Sequence, residues 1–312
     1  MTILVIGGMT IDDLVLTDGT VHRKTMGGNA LYSALGALIW GAPGEIVSFV
    51  GADYPDEVLH DLQSRGIGTR YIARTTGRSV RLWILYELDG RRQIQLQHDS
   101  ATLAPIGDIA TDSLESMYRT GQKPDVAHIA ALPVAVQRRI ADVLGRANVR
   151  FSLDALEARG SVGGDLLDYL QGQERLAPEA FLPSREEFDL LFGDAESPEF
   201  REWKSTTATT TLVVKDGSNG SLLSSPPSAA AVRVPALRCD IKDPTGAGDA
   251  YCGGYAAGMA LRRTPLECAV MGTVAASFAV EGVGIRGLLD VGEHEVYRRQ
   301  ELLQVALERG TG

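Results

Sequence analysis

The residue types that could do chemistry are concentrated in Asp243–Gly254, DPTGAGDAYCGG, which is followed by the apolar run Tyr255–Leu261. Pro244 halts a preceding strand, and Gly246 and Gly248 remove the side chains that would block a ligand. A helix starting at about residue 248 exposes unpaired N–H groups and the positive end of its dipole at Gly246, Ala247 and Gly248. Such a terminus binds anions, and phosphate is its natural occupant. Asp249 then has two readings. It can cap the first helical turn, or it can take the proton of an attacking hydroxyl while the anion hole holds a phosphoryl group. The motif alone favours neither.

Residues this close together need a rigid frame, and the flanking sequence supplies one. Short β-branched runs alternate with helical segments, which is a βαβ rhythm. Strands are predicted over Ile3–Ile6, Ile46–Val50, Val126–Ala130, Arg150–Leu153, Ala180–Leu182 and Thr211–Lys215. Helices are predicted over Asn29–Trp40, Pro55–Arg65, Val134–Arg146, Arg185–Phe192, Gly248–Arg262, Pro265–Val280 and Glu293–Glu308. The fold class that follows is α/β, a doubly wound, mostly parallel sheet with helices on both faces.

Two segments break the rhythm. Val80–Glu87 and Arg91–Gln97 flank Leu88-Asp89-Gly90, and Asp-Gly between strand-like runs signals a hairpin. Gln93, Gln95 and Gln97 alternate with Ile94 and Leu96, giving that hairpin one polar and one apolar face. Asp12–Thr25 also lacks a helical period. Together they predict a small antiparallel sheet, made from about 12–25 and 79–100 and inserted in a single domain over 1–312. Beside an open α/β sheet it would act as a lid that shields a small ligand from water. Ser224–Ala231 reads as a connecting loop.

Composition excludes several classes. Forty acidic against 30 basic side chains give a net charge of −10, which disfavours a nucleic-acid partner. The three cysteines lack paired spacing, so neither a disulfide framework nor a structural metal is expected. No leader is apparent and the longest apolar stretches are too short to span a bilayer, so the expectation is a cytoplasmic protein with no membrane partner. Glycine is enriched, at 35 of 312 residues, which suits tight turns and close approach to a ligand. Gly282–Gly287 satisfies G-x-G-x-x-G, but it follows a helical run and opens no helix, so a dinucleotide site is not expected. His22, His60, His98, His128 and His294 are scattered without metal-ligand spacing, and Lys24 reads as a solvated lysine.

DPTGAGDAYCGG resembles the C-terminal signature of the ribokinase/PfkB family of carbohydrate kinases, and further pieces in the family's order extend the similarity over nearly the whole chain. The resemblance implies that Asp249 is the catalytic base beside the anion hole of Gly246, Ala247 and Gly248. IGGMTIDD places Asp12 where the family binds substrate hydroxyls, and MGGNALYSALGALIWG adds Gly27, Gly28 and Asn29 as substrate contacts. Phe49–Ile67 resembles the stretch after the second strand, and the Asp89-Gly90 hairpin falls where the family has its lid. VVKDGSNG resembles the strand and turn under the nucleotide, implying Lys215, Gly217 and Gly220 as contacts, with Gly248 shared. In FLPSREE, Ser184 replaces the family's Asn while Glu187 keeps the carboxylate assigned to Mg2+ through water. Asp154 in SLDALEAR matches part of a sugar-kinase Asp-x-Asn-x-Arg pattern. AASFAVEGVG resembles the adenine-side helix and following loop, implying Ser277 on the nucleotide side and, with Asp243, a monovalent-cation site for which K+ is the candidate.

The implied activity is ATP-dependent transfer of the γ-phosphoryl group to a hydroxyl of a sugar or sugar acid. The alternatives are a nucleoside or vitamin kinase of the same superfamily, or a sugar- or nucleotide-binding protein without turnover on this fold. An exposed lid sheet could pair with a second copy, making a homodimer.

Overall fold

The computed structural model describes residues 2–88, 92–155, 177–207, 209–226 and 231–310. The strands are β1 (Ile3–Ile6), β2 (Thr10–Val15), β3 (Val21–Gly27), β4 (Gly44–Val50), β5 (Gly68–Arg74), β6 (Val80–Tyr86), β7 (Arg92–Leu96), β8 (Val126–Ile129), β9 (Arg150–Leu153), β10 (Ala180–Phe181), β11 (Thr211–Lys215), β12 (Ser221–Ser224) and β13 (Val232–Val234). The helices are α1 (Asn29–Leu38), α2 (Asp56–Ser64), α3 (Ile106–Arg119), α4 (Val134–Arg146), α5 (Arg185–Phe192), α6 (Pro198–Thr206), α7 (Ala247–Ala260), α8 (Pro265–Ala279), α9 (Arg286–Leu289) and α10 (Glu293–Gly310).

Among the described residues the strands form two sheets. The large one has the order β13-β12-β11-β10-β9-β8-β1-β4-β5. It is parallel from β11 to β5, and the β11–β12 and β12–β13 pairs are antiparallel. Successive residues of a strand face opposite sides, so a central strand must be apolar throughout. In β1, Ile3 and Val5 enter the core under α1, α7 and α8, while Leu4 and Ile6 enter the core under α3 and α4.

The small sheet has the order β3-β2-β6-β7. It is mixed, not antiparallel as expected, because β6 reaches it from the large sheet and runs parallel to β2. Its strands also begin at Thr10 and reach Gly27, beyond the expected edges. The Asp89-Gly90 turn and residues 227–230 of the Ser224–Ala231 loop lie outside the described residues.

Other elements were absent from the sequence reading. Helix α3 buries Ile106, Ala110, Leu114 and Met117, spaced at helical intervals. Helix α6 starts at Ser197, whose side chain accepts from Phe200 N, with Pro198 in the first turn. The edge strands β5 and β13, and β12 beside β13, carry weaker apolar patterns. Gly282–Gly287 does lead into a helix, the four-residue α9, which corrects the expectation above; it nonetheless follows helix α8 and not a strand. Among the described residues no helix is long and apolar enough to cross a membrane.

Candidate active site

The site lies where β1, β9 and β11 end and where α1 and α7 begin. Helix α7 is buried nearly all round and packs against α1 and α8. Gly36 of α1 and Gly253 of α7 let these helices meet backbone to backbone: a Cβ at Gly36 would overlap Ala250, and one at Gly253 would overlap Ser33. Ser33 Oγ also donates to Asp249 O at 2.9 Å, so α1 fixes the first turn of α7. Gly246 caps α7 in the left-handed region, with φ 74°, and a Cβ there would overlap the Tyr32 ring.

Ahead of this cap, the buried Asp243 carboxylate accepts from Thr245 N at 2.9 Å and from Gly284 N at 2.8 Å, tying the DPTG loop to the loop after α8. Both Asp243 oxygens thus already hold backbone donors. Ala247 N reaches Pro244 O at 3.3 Å, a long bond, and Gly248 is exposed at the open end of the helix. Asp249, in the first turn, stays partly accessible. Its carboxyl lies above the usual aspartate range because its surroundings desolvate it; Lys215 and Arg92 pull it down, and Glu187 pushes it up.

Asp12 projects from β2 toward the same place. It is 2% exposed, and burial, reinforced by the Asp13, Asp243 and Asp249 carboxylates, pushes it up to about 7. The Thr10 hydroxyl lies beside the Asp12 carboxyl and pulls it down, and neither Thr10 Oγ1 nor Asp12 Oδ1 makes another hydrogen bond among the described residues. Buried polar atoms are nearly always satisfied, so this under-satisfied pair suits a ligand hydroxyl. Gly27 lies directly against Asp12, where a Cβ would overlap Oδ2. Gly28 has φ 101°, and a Cβ there would overlap Gly8 O. Asn29 is tied into the frame instead of pointing freely: Oδ1 accepts from Gly8 N and Nδ2 donates to Ala131 O, both at 2.7 Å. One lone pair and one N–H remain to it.

On the other side of Asp249, Lys215 ends β11 and its ammonium meets Asp154 Oδ1 at 2.7 Å and Cys252 Sγ at 3.4 Å. Glu187 and Ser184 form a capping box at the start of α5, with Glu187 Oε2 accepting from Ser184 N at 2.6 Å. Burial and the nearby Asp154 push the Glu187 carboxyl up to about 7. Ser184 therefore serves the helix cap that aims Glu187. Gly217 and Gly220 make the turn from β11 to β12. Ser277 is engaged within the protein: its hydroxyl donates to Val274 O at 2.7 Å and accepts from Arg299 at 2.9 Å, which pins α10 to α8. Lys24 is exposed at a bulge between β2 and β3, with φ 54°.

Two small-sheet residues that the sequence reading missed complete the arrangement. In the register, Tyr86 stands opposite Arg92, on the face that carries Thr10, Asp12, Leu82 and Ile84. Tyr86 OH is 2.9 Å from Thr245 Oγ1, and Arg92 lowers the Asp249 carboxyl. The alternation in VRLWILYE was the only available hint of which side chains share that face.

Excess carboxylate around one ammonium suits a cation arriving with a polyphosphate. Among the described residues no three His, Cys, Asp or Glu side chains converge as a direct metal shell.

The large, mostly parallel sheet with its smaller separate sheet is the ribokinase-like fold. Residues 3–290 match the pfkB family of carbohydrate kinases, and the chain belongs to that family. A cytidine kinase of Thermococcus kodakarensis is 25% identical over 280 residues, covering 87% of this chain and 93% of that protein. A nucleoside kinase of Burkholderia thailandensis in complex with inosine has a TM-score of 0.75 at 17% identity, covering 97% of this chain and 98% of that one. A ribokinase of Arabidopsis thaliana complexed with ribose and ATP has a TM-score of 0.69 at 17% identity, covering 96% and 98%.

Proposed function

We propose that the chain transfers the γ-phosphoryl group of ATP to a hydroxyl of a small sugar-like acceptor, within a single domain whose small sheet is the lid. The observation that carries this reading is the convergence of two carboxylates, Asp12 and Asp249, on the open end of α7, each shifted upward by burial. Asp12, Gly27, Gly28 and the remaining capacity of Asn29 orient the acceptor. Asp249 takes the hydroxyl proton as the new oxygen–phosphorus bond forms and the bond to ADP breaks, the electron pair leaving with ADP. Backbone N–H groups at Gly246–Gly248 meet the phosphoryl oxygens. On the nucleotide side Lys215 meets the γ-phosphoryl end and Gly217 and Gly220 hold the remainder, while Glu187 would anchor Mg2+ through water, which would supply charge neutralisation to the phosphates. Asp243, with the loop after α8, is the candidate K+ position. Pairing of two lids through β7, whose Ile94 and Leu96 are exposed, belongs to the same reading.

A second reading of the acceptor, a nucleoside, is supported by the cytidine kinase relative. The test of the common mechanism is Asp249→Asn. It is expected to lower kcat on the order of a hundredfold or more, as loss of a general base does, while ATP binding measured by calorimetry holds. Wild-type turnover in that variant would refute the assignment.

A further inference from the structure

Gly248 poses a question that the protein's own packing does not answer. Its φ is ordinary, and among the described residues outside its own helical backbone and chain neighbours, a Cβ built on it would meet only Lys215, Nζ at 3.7 Å and Cε at 3.9 Å. Neither backbone strain nor crowding forbids alanine here, and alanine is the better helix former. The glycine instead leaves room beside the Lys215 ammonium. That ammonium has three donors. One meets Asp154 Oδ1 at 2.7 Å, a second lies 3.4 Å from Cys252 Sγ, and Cys252 in turn lies 3.5 Å from Asp154 Oδ2. The carboxylate and the thiol thus engage two of the three donors, and the ammonium lies beside the room over Gly248. Asp154 is 4% exposed, and the Lys215 side chain is 12% exposed.

We infer that Asp154 is a positioning residue for phosphoryl transfer: it clamps Lys215 so that the third N–H of the ammonium meets an oxygen of the group in transit over Gly248. The inference rests on the proposed kinase reading and deepens it. Lys215 keeps its proton throughout and offsets charge on the phosphoryl oxygens, while the acceptor's proton goes to Asp249. The pairing with Asp154 also supplies the counter-charge that a buried ammonium needs to stay ionised. Because the space lies at the anion hole, the contact is with the γ-phosphoryl group and not with the part of the nucleotide that ADP retains.

The test compares Mg-ADP with a Mg-ATP analogue carrying an unreactive β,γ-methylene bridge, by calorimetry, in wild type, Asp154→Asn, Lys215→Met and Gly248→Ala. KM for ATP, kcat and the melting midpoint are measured in parallel. Gly248→Ala is included because, among the described residues outside its own helical backbone and chain neighbours, its methyl meets no atom closer than 3.7 Å and the fold has no reason to fail. All three variants are expected to bind ADP within about twofold of wild type, to lose about tenfold in analogue affinity, and to fall at least tenfold in kcat. If ADP and the analogue weaken equally, or if neither weakens and kcat stays within twofold, the inference is overturned. If wild type binds neither nucleotide, the kinase reading falls with it, which separates the two failures.

Discussion

Tyr86 OH, on the small sheet, lies 2.9 Å from Thr245 Oγ1, the residue immediately before the glycine that caps α7. The two are 159 positions apart in the chain, and their bond joins the proposed lid to the proposed anion hole. On the proposed function, a lid held by this bond would move together with the hole behind it. Tyr86→Phe removes one hydrogen bond and little volume, so the fold should hold. Expected is a rise of roughly three- to tenfold in acceptor KM, with ATP affinity unchanged, from steady-state kinetics. An unchanged acceptor KM would mean that the bond merely decorates the lid.

Arg92 lowers the Asp249 carboxyl from the level to which burial raises it. A general base must be ionised, so kcat should climb with pH along an acidic limb set by Asp249 and then level off. Arg92→Ala removes the lowering influence, and its limb should move to higher pH. The measurement is kcat from about pH 4.5 to 8.5 in both proteins. A limb that stays in place would sever Arg92 from the base.

Asp12 carries the clearest stability signature. Its folded carboxyl sits at about 7 against an ordinary 3.8 because burial disfavours the ionised form. The folded state therefore binds a proton that the unfolded chain has released. The stabilisation is complete below pH 4 and is lost as pH rises through 7, by an amount on the order of a few kcal/mol. Glu187, also at about 7, adds to the same slope. Asp12→Asn should raise the ligand-free melting midpoint at pH 8, leave it nearly unchanged at pH 4, and abolish acceptor binding. Equal midpoints at pH 8 would count against a buried, ionising Asp12.

Gly246→Ala should be costly to the fold. The position needs a left-handed backbone and presses on the Tyr32 ring. A loss of about 2 kcal/mol or more is expected, read as a lower midpoint in thermal or urea unfolding. Gly248→Ala, two residues on, should leave that midpoint nearly unmoved.

The contrast between these glycines shows how far the sequence could be read. Asp243–Gly254 is a local motif, so its cap, its helix and the first-turn position of Asp249 follow from neighbours in the chain. The alternating strands and helices were legible for the same reason, whereas strands β12 and β13 and the capped helix α6 lacked a strong apolar pattern. The wiring of the site was not legible, because it is made by pairs far apart: Lys215 with Asp154 across 61 positions, and Tyr86 with Thr245. The same holds for the reversed expectation about the small sheet. Nothing local to β6 encodes the crossover that makes it parallel to β2. Asn29 and Ser277 show a further limit, since a polar residue in a motif can spend its hydrogen bonds on the scaffold.

The most direct test of the central claim follows radiolabel from the γ-position of ATP, with Mg2+, into a panel of pentoses, hexoses, sugar acids and nucleosides, with Asp249→Asn as the blank. The account predicts label in one acceptor class with wild type and at least a hundredfold less with the variant. Equal transfer by wild type and Asp249→Asn would contradict it.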